Sequence, residues 1–146
     1  MGGGVSGKTK ILIVDDEPDI LLMMRVNLEG EGFETMLAAD GETALERVRT
    51  DAPDVVLLDV MMPVLDGWGV LEAMAALTDA PATVVVSAKA APADVGRAFQ
   101  LGAADYVTKP FSIDHLIATI RDVLGRTVEQ QERRRQEALI DFGAGS

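Results

Sequence analysis

Three short, unbroken apolar runs constrain the fold of this chain more than any other feature: Ile11-Leu12-Ile13-Val14, Val55-Val56-Leu57-Leu58 and Val84-Val85-Val86. None alternates polar with apolar residues, so each must be covered on both faces, the condition of strands inside a parallel sheet. Residues 33–38 and 104–107 read as two weaker strands. Amphipathic stretches separate the runs. Pro18 opens the first, followed by Leu21, Met24 and Leu28, and Gly30 and Gly32 close it. Ala44, Leu45 and Val48 mark a second helix, Val70, Leu71, Met74 and Leu77 a third, and residues 92–101 a fourth, stopped by Gly102. The fifth places Ile113, Leu116, Ile117, Ile120 and Leu124 on one face, with Ser112 as N-cap. Alternating strands and helices predict an α/β fold, (βα)5, with a doubly wound five-stranded parallel sheet.

In such sheets ligands bind beyond the carboxyl ends of the strands. The residues just after each run are Asp15-Asp16, Asp59, Ser87 and Thr108-Lys109-Pro110. Three carboxylates, a hydroxyl and an ammonium therefore converge on one edge. At about 4 Å and an effective dielectric of about 20, each pair of like charges costs about 4 kcal/mol. Such a cluster wants a cation, and hard oxygen ligands suit Mg²⁺. A carboxylate beside a divalent metal and an ammonium has the parts for phosphoryl transfer. The carboxylate attacks phosphorus while both cations neutralise the phosphoryl oxygens. An ionised carboxylate needs no general base, so the lone His115 in the fifth helix is not required.

Each residue taken singly has a plainer reading. An Asp after a strand often caps the next helix, which would account for Asp16 or Asp66. A Ser at a strand end is commonly a turn residue, and a single Lys is commonly solvated. The functional reading rests on all the positions falling at the same end of consecutive strands.

Composition agrees. There is no Cys, which excludes disulfides, thiolate metal sites and a Cys nucleophile. Hydrophobic residues make up 48% but aromatics only 4%, so the core is aliphatic. The net charge of −11 disfavours nucleic acid or an anionic membrane as direct partner. No apolar run reaches membrane-spanning length and no signal peptide opens the chain, which predicts a cytoplasmic protein.

The N-terminus matches G-x-x-x-x-G-K-[ST] through Gly2, Gly7, Lys8 and Thr9, and G-x-G-x-x-G through Gly2, Gly4 and Gly7. Gly2 and Ser6 also fit a myristoylation pattern. Both nucleotide motifs need a strand before the glycines and a helix after them. Here nothing precedes them and a strand follows, so residues 1–7 are read as a flexible Gly-rich leader.

Acidity ends near Gly125: residues 1–125 carry 9 Lys/Arg against 20 Asp/Glu, and residues 126–146 carry 4 of each. The tail is helix-compatible but has nothing apolar between Val128 and Ala138, which argues against a coiled coil. Glutamates flank Arg133-Arg134-Arg135 and no aromatics interleave, so nucleic acid is disfavoured there too. Residues 126–146 are read as a polar extension, helical or disordered and solvated. They are too short for a separate DNA-binding domain. The chain is either a stand-alone protein or a piece of a longer one, and its Gly-Ala-Gly-Ser ending suits a natural terminus.

Residues 8–125 resemble the receiver domain of bacterial two-component response regulators. The resemblance is carried by Ile11-Leu12-Ile13-Val14-Asp15-Asp16-Glu17-Pro18, Leu58-Asp59-Val60-Met61-Met62-Pro63 with Asp66-Gly67, and Ser87-Ala88-Lys89. Gly102-Ala103-Ala104-Asp105-Tyr106 and Lys109-Pro110-Phe111 complete it. It implies a flavodoxin-like fold with strand order 2-1-3-4-5. It implies Asp59 as phosphoacceptor, with Mg²⁺ held by Asp15, Asp16, Asp59 and the backbone carbonyl of Met61. Ser87 and Lys109 would contact the phosphoryl oxygens, the latter preceding a cis peptide at Pro110. Ser87 and Tyr106 would form the switch, altering the face made by the fourth helix, fifth strand and fifth helix. Ser87 stands where Thr is more frequent, and Met61 and Lys89 lie where the family tunes dephosphorylation.

The implied partners are a sensor histidine kinase or phosphotransfer protein upstream and a protein effector or output domain downstream. Homodimerisation through the switch face stays open. Such a chain catalyses only its own phosphorylation and slow dephosphorylation. A haloacid-dehalogenase-type phosphohydrolase would need a carboxylate two residues after Asp59, where Met61 stands. A receiver that binds partners without phosphorylation would typically have lost acidic-site residues, and all are present.

Overall fold

A strand covered on both faces has no room for a polar side chain, and three of the five strands obey this along most of their length. A computed structural model describes residues 7–61, 67–89 and 91–140. Residues 1–6 of the leader, Met62, Pro63, Asp66 and the closing residues 143–146 lie outside them. The strands are β1 (Lys10–Val14), β2 (Glu34–Ala38), β3 (Val55–Leu58), β4 (Ala82–Ser87) and β5 (Asp105–Thr108). All are parallel, in the order β2-β1-β3-β4-β5. The expected topology is the observed one.

Successive side chains of each strand enter different cores. Ile11, Ile13, Leu57, Val84 and Val86 pack with Leu21, Met24 and Leu28 of α1 (Pro18–Gly30) and Leu116, Ile117 and Ile120 of α5 (Ile113–Gly125). Leu12, Val14, Val56, Leu58 and Val85 face α2 (Gly41–Asp51) and α3 (Gly67–Ala75), meeting Ala44, Val48, Val70, Leu71 and Met74. Ala98 of α4 (Pro92–Gln100) joins this second core. Each large side chain removed from water contributes about 1.5–3 kcal/mol.

The elements differ from the sequence reading at a few positions. Val123, not Leu124, completes the buried stripe of α5, and Leu124 is 39% exposed. Leu77 lies beyond the end of α3 yet still packs on the second core. β2 starts one residue later than expected, with Phe33 buried just before it, and β5 is shifted by one residue to Asp105–Thr108.

Ser112 caps α5 as expected, its Oγ accepting the His115 amide at 3.0 Å. Ser112→Ala should lower stability by about 1 kcal/mol, read as a lower urea midpoint with an unchanged slope.

The tail departs most from expectation. Residues Val128–Ala138 form a helix, α6, with a complete capping box at Thr127 and Gln130. The sequence reading leaves this segment solvated, but the helix is docked against α4 and the start of β5. Ala138 is fully buried beside Val95 and Phe99. The cause is polar rather than apolar. Arg126 and Arg134 converge on the buried Asp105 at 2.6 and 3.0 Å, and Arg134 also lies 4.9 Å from the Phe99 ring centroid. Among the described residues, no helix is long and apolar enough to cross a membrane.

Candidate functional site

The register of the sheet brings the chemistry together. Val14 stands opposite Leu58, so Asp15 and Asp59 leave neighbouring strands side by side. The Asp59 amide continues the ladder, donating to the Val14 carbonyl at 3.0 Å. Both carboxylates are buried, Asp15 at 2% and Asp59 at 6% exposure.

Each has one oxygen tied to the backbone and one to Lys109. Asp15 Oδ1 accepts from the Glu17 amide and Asp59 Oδ1 from the Met61 amide, both at 2.9 Å. Lys109 Nζ donates to Asp15 Oδ2 at 2.8 Å and to Asp59 Oδ2 at 3.2 Å. Burial works against the ammonium, but the hydrogen bond and charge of Asp15, joined by Asp59, outweigh it. The Lys109 pKa is held above the ordinary lysine value, so the group is a permanent cation near neutral pH. The Lys109–Pro110 peptide is cis, as the resemblance implies.

Asp16 is exposed, and its carboxylate falls within 4.8 Å of ligand oxygens from Asp15 and Glu17. It does not cap α1. The N-cap is Glu17, without a side-chain capping bond. The capping alternative raised for Asp66 lies outside the described residues.

Asp15 and Asp59 share the Lys109 ammonium, while Asp15 also belongs to a cluster of carboxylate oxygens with the exposed Asp16 and Glu17, so a set of hard oxygens with surplus negative charge meets at Asp15. That set fits Mg²⁺. The sequence reading does not single out Glu17, although its place directly after Asp15-Asp16 is a signal for it.

Ser87 and Tyr106 connect to each other rather than to the carboxylates. Ser87 is fully buried at the end of β4, and its Oγ accepts the Lys89 amide at 3.2 Å. Tyr106 is half-buried, and its hydroxyl donates to the Lys89 carbonyl. Burial raises the Tyr106 pKa above its ordinary value, so the hydroxyl stays a donor. Both thus hold opposite ends of one peptide-bearing residue, Lys89, whose own ammonium reaches toward Asp94 at 4.0 Å. His115 is exposed on α5, and its backbone amide takes the Ser112 cap.

Gly67 has a packing reason that sequence did not reveal. A Cβ there would lie 2.2 Å from Val60 Cα and 2.8 Å from the Asp59 carbonyl oxygen. The first turn of α3 thus rests directly on the backbone that carries Asp59.

The model of the response regulator receiver domain matches residues 11–121. Among curated relatives, a probable transcriptional regulator, ycf27, of Guillardia theta is 45% identical over 120 residues, covering 82% of this chain and 47% of that protein. The DNA-binding response regulator MtrA of Mycolicibacterium smegmatis is 40% identical over 123 residues, covering 84% and 54%. The chain thus spans about half the length of the curated relatives it matches. Among solved structures, the receiver domain of the Francisella response regulator 1452 superposes with a TM-score of 0.76 at 32% identity, covering 80% of this chain and 97% of that one. The chemotaxis response regulator CheY4 of Vibrio cholerae gives 0.75 at 29% identity, covering 80% and 98%.

Proposed function

The chain belongs to the response regulator receiver domain family, and from that premise we propose that it is a phosphorylation-controlled signalling switch with Asp59 as phosphoacceptor. The observation that carries the proposal is the placement of Lys109 Nζ between Asp15 Oδ2 and Asp59 Oδ2 at the carboxyl edge of the sheet. The donor is a phosphohistidine of a sensor kinase or phosphotransfer protein, and the chain acts in the cytoplasm. The readout passes to a protein effector or output domain rather than directly to nucleic acid.

An Asp59 carboxylate oxygen attacks phosphorus. The phosphorus–oxygen bond forms as the bond from phosphorus to the donor nitrogen breaks, and the freed imidazole leaves with that electron pair. Asp15, Asp16 and Asp59 would hold Mg²⁺, with the Met61 carbonyl completing the protein's share. When bound, the metal supplies positive charge to the phosphoryl oxygens. Lys109 supplies a second, fixed positive charge, already desolvated and aimed at Asp59. The buried Ser87 hydroxyl offers the phosphoryl group a hydrogen bond once it turns from the Lys89 amide. Hydrolysis of the acyl phosphate reverses the state. No acid group follows Asp59 at the second position, where Met61 presents only its amide to the carboxylate. This favours a switch over a turnover phosphohydrolase.

Incubation with Mg²⁺ and acetyl phosphate tests the reading by intact mass. One phosphoryl group per chain is expected, absent when the metal is chelated. A chain that gains no mass from acetyl phosphate, nor from a panel of histidine kinases, is a binding module that works without phosphorylation.

A further inference from the structure

The α6 helix packs on α4 and the start of β5, two of the three elements of the face that the family resemblance implies for output. Its anchors are unusual. Both carboxylate oxygens of Asp105 are engaged, Oδ2 by Arg126 and Oδ1 by Arg134. Arg126 also donates to the Ala104 carbonyl at 2.8 Å, and Arg135 to the Phe99 carbonyl at 3.2 Å. Burial opposes the Arg126 charge, but Asp105 and Asp122 outweigh it and push its pKa up. Arg126, the C-cap of α5, fixes the turn that leads into α6, and Arg134 and Arg135 of α6 itself clamp the helix across β5 and the C-terminal half of α4 by charge-assisted bonds.

Apolar attachment is slight by comparison. Ala138 is the one buried residue of α6, and a groove of about 680 Å³ remains between its first turns, Thr83, Ala103 and Val123. An isolated helix of about this length is marginal in water. Freed from its clamps, α6 would unwind rather than persist as a solvated rod.

Tyr106 links the surface beneath α6 to the loop that holds Ser87. Tyr106 packs against the Val95–Phe99–Ala138 cluster, as does Leu139. At its other end its hydroxyl holds the Lys89 carbonyl, while the Lys89 amide holds Ser87 Oγ. Any movement that takes Ser87 off the Lys89 amide disturbs the loop to which Tyr106 is tied, and Tyr106 forms part of the wall behind Ala138.

We propose that α6 is a built-in cover of the α4–β5 face, released when Asp59 is phosphorylated, so that a protein partner and α6 compete for one surface. The inference rests on the phosphorylation reading above. Release exposes Val95, Phe99 and the Oδ1 side of Asp105, whose Oδ2 stays with Arg126 at the end of α5, an apolar patch with a carboxylate oxygen at its edge.

Hydrogen–deuterium exchange on the whole chain tests it, with intact mass recorded on the same samples. Phosphorylation by acetyl phosphate and Mg²⁺ should speed exchange across Val128–Ala138 by about tenfold or more, leaving α2, which packs at the β2–β1 end of the sheet, unchanged. Arg134→Ala should speed exchange of α6 without phosphodonor, because it removes one of the two arginines on Asp105 and the contact over Phe99. A chain that gains the phosphoryl mass yet keeps its α6 protection overturns the release and leaves the switch chemistry standing. Absence of the mass gain overturns the switch and the release together. Unaltered α6 protection in Arg134→Ala overturns the ionic clamp.

Discussion

Asp59→Asn should take up no phosphoryl group from acetyl phosphate, while folding as the parent chain does. The amide is nearly isosteric. Its oxygen can still accept the Met61 amide bond, and Lys109 keeps Asp15 as its partner at 2.8 Å. The substitution removes the nucleophilic charge, and it also removes one hard ligand from a site whose surplus of carboxylates is what attracts a divalent cation. A second, independent effect therefore follows. Mg²⁺ at about 100 times its dissociation constant raises the stability of a one-site protein by about 2.7 kcal/mol. The parent chain should show an increase of that kind, and Asp59→Asn a much smaller one at the same Mg²⁺ concentration. Thermal melts with and without Mg²⁺, beside intact mass, check both. A variant that still gains the phosphoryl mass would move the acceptor away from Asp59.

Gly67→Ala should be the most damaging conservative substitution near the site. The added methyl would meet Val60 Cα at 2.2 Å, Val60 carbonyl carbon at 2.7 Å and Asp59 carbonyl oxygen at 2.8 Å. All three are backbone atoms, so no rotamer change relieves the clash. Either α3 lifts from the sheet or the strand end carrying Asp59 shifts. Overpacking of this kind costs about 3 kcal/mol or more, which for a chain of this size lowers the melting temperature by about 10 °C. Gly69→Ala on the same helix is the control. Nothing lies within 4 Å of its added methyl, and replacing an exposed helical glycine by alanine should stabilise by up to about 1 kcal/mol. Opposite signs two residues apart would separate steric closeness from helix propensity. A tolerated Gly67→Ala would show that α3 does not rest on the Asp59 backbone.

The sequence was most legible where burial leaves least choice. β1, β3 and β4 are enclosed by helices on both sides, so their composition announces them, and the residues that follow each run fall at one edge by necessity of parallel pairing. Sequence alone thus places Asp15, Asp59 and Lys109 together. β5 was harder because Asp105 opens it: a buried charge looks like a loop residue until its partners are known, and these lie 21 and 29 positions downstream. The docking of α6 was hidden for the same reason. A helix held by two arginines and a single alanine shows no apolar stripe, so periodicity cannot find its face. Gly67 was visible as a glycine after Asp66, but the closeness of Val60 to it is a distance between two elements, which no local pattern encodes.

The chain has one tryptophan, Trp68, buried in the first turn of α3, with the Arg97 guanidinium of α4 stacked 4.5 Å from its ring centroid. Indole emission is sensitive to a cation above the ring, and here the cation belongs to the helix that α6 covers while the indole sits one residue past Gly67. The molecule therefore carries its own optical gauge of the spacing between α3 and α4. Light absorbed at a single side chain reports, without any label, whether a change at the acidic edge has travelled to the opposite helix.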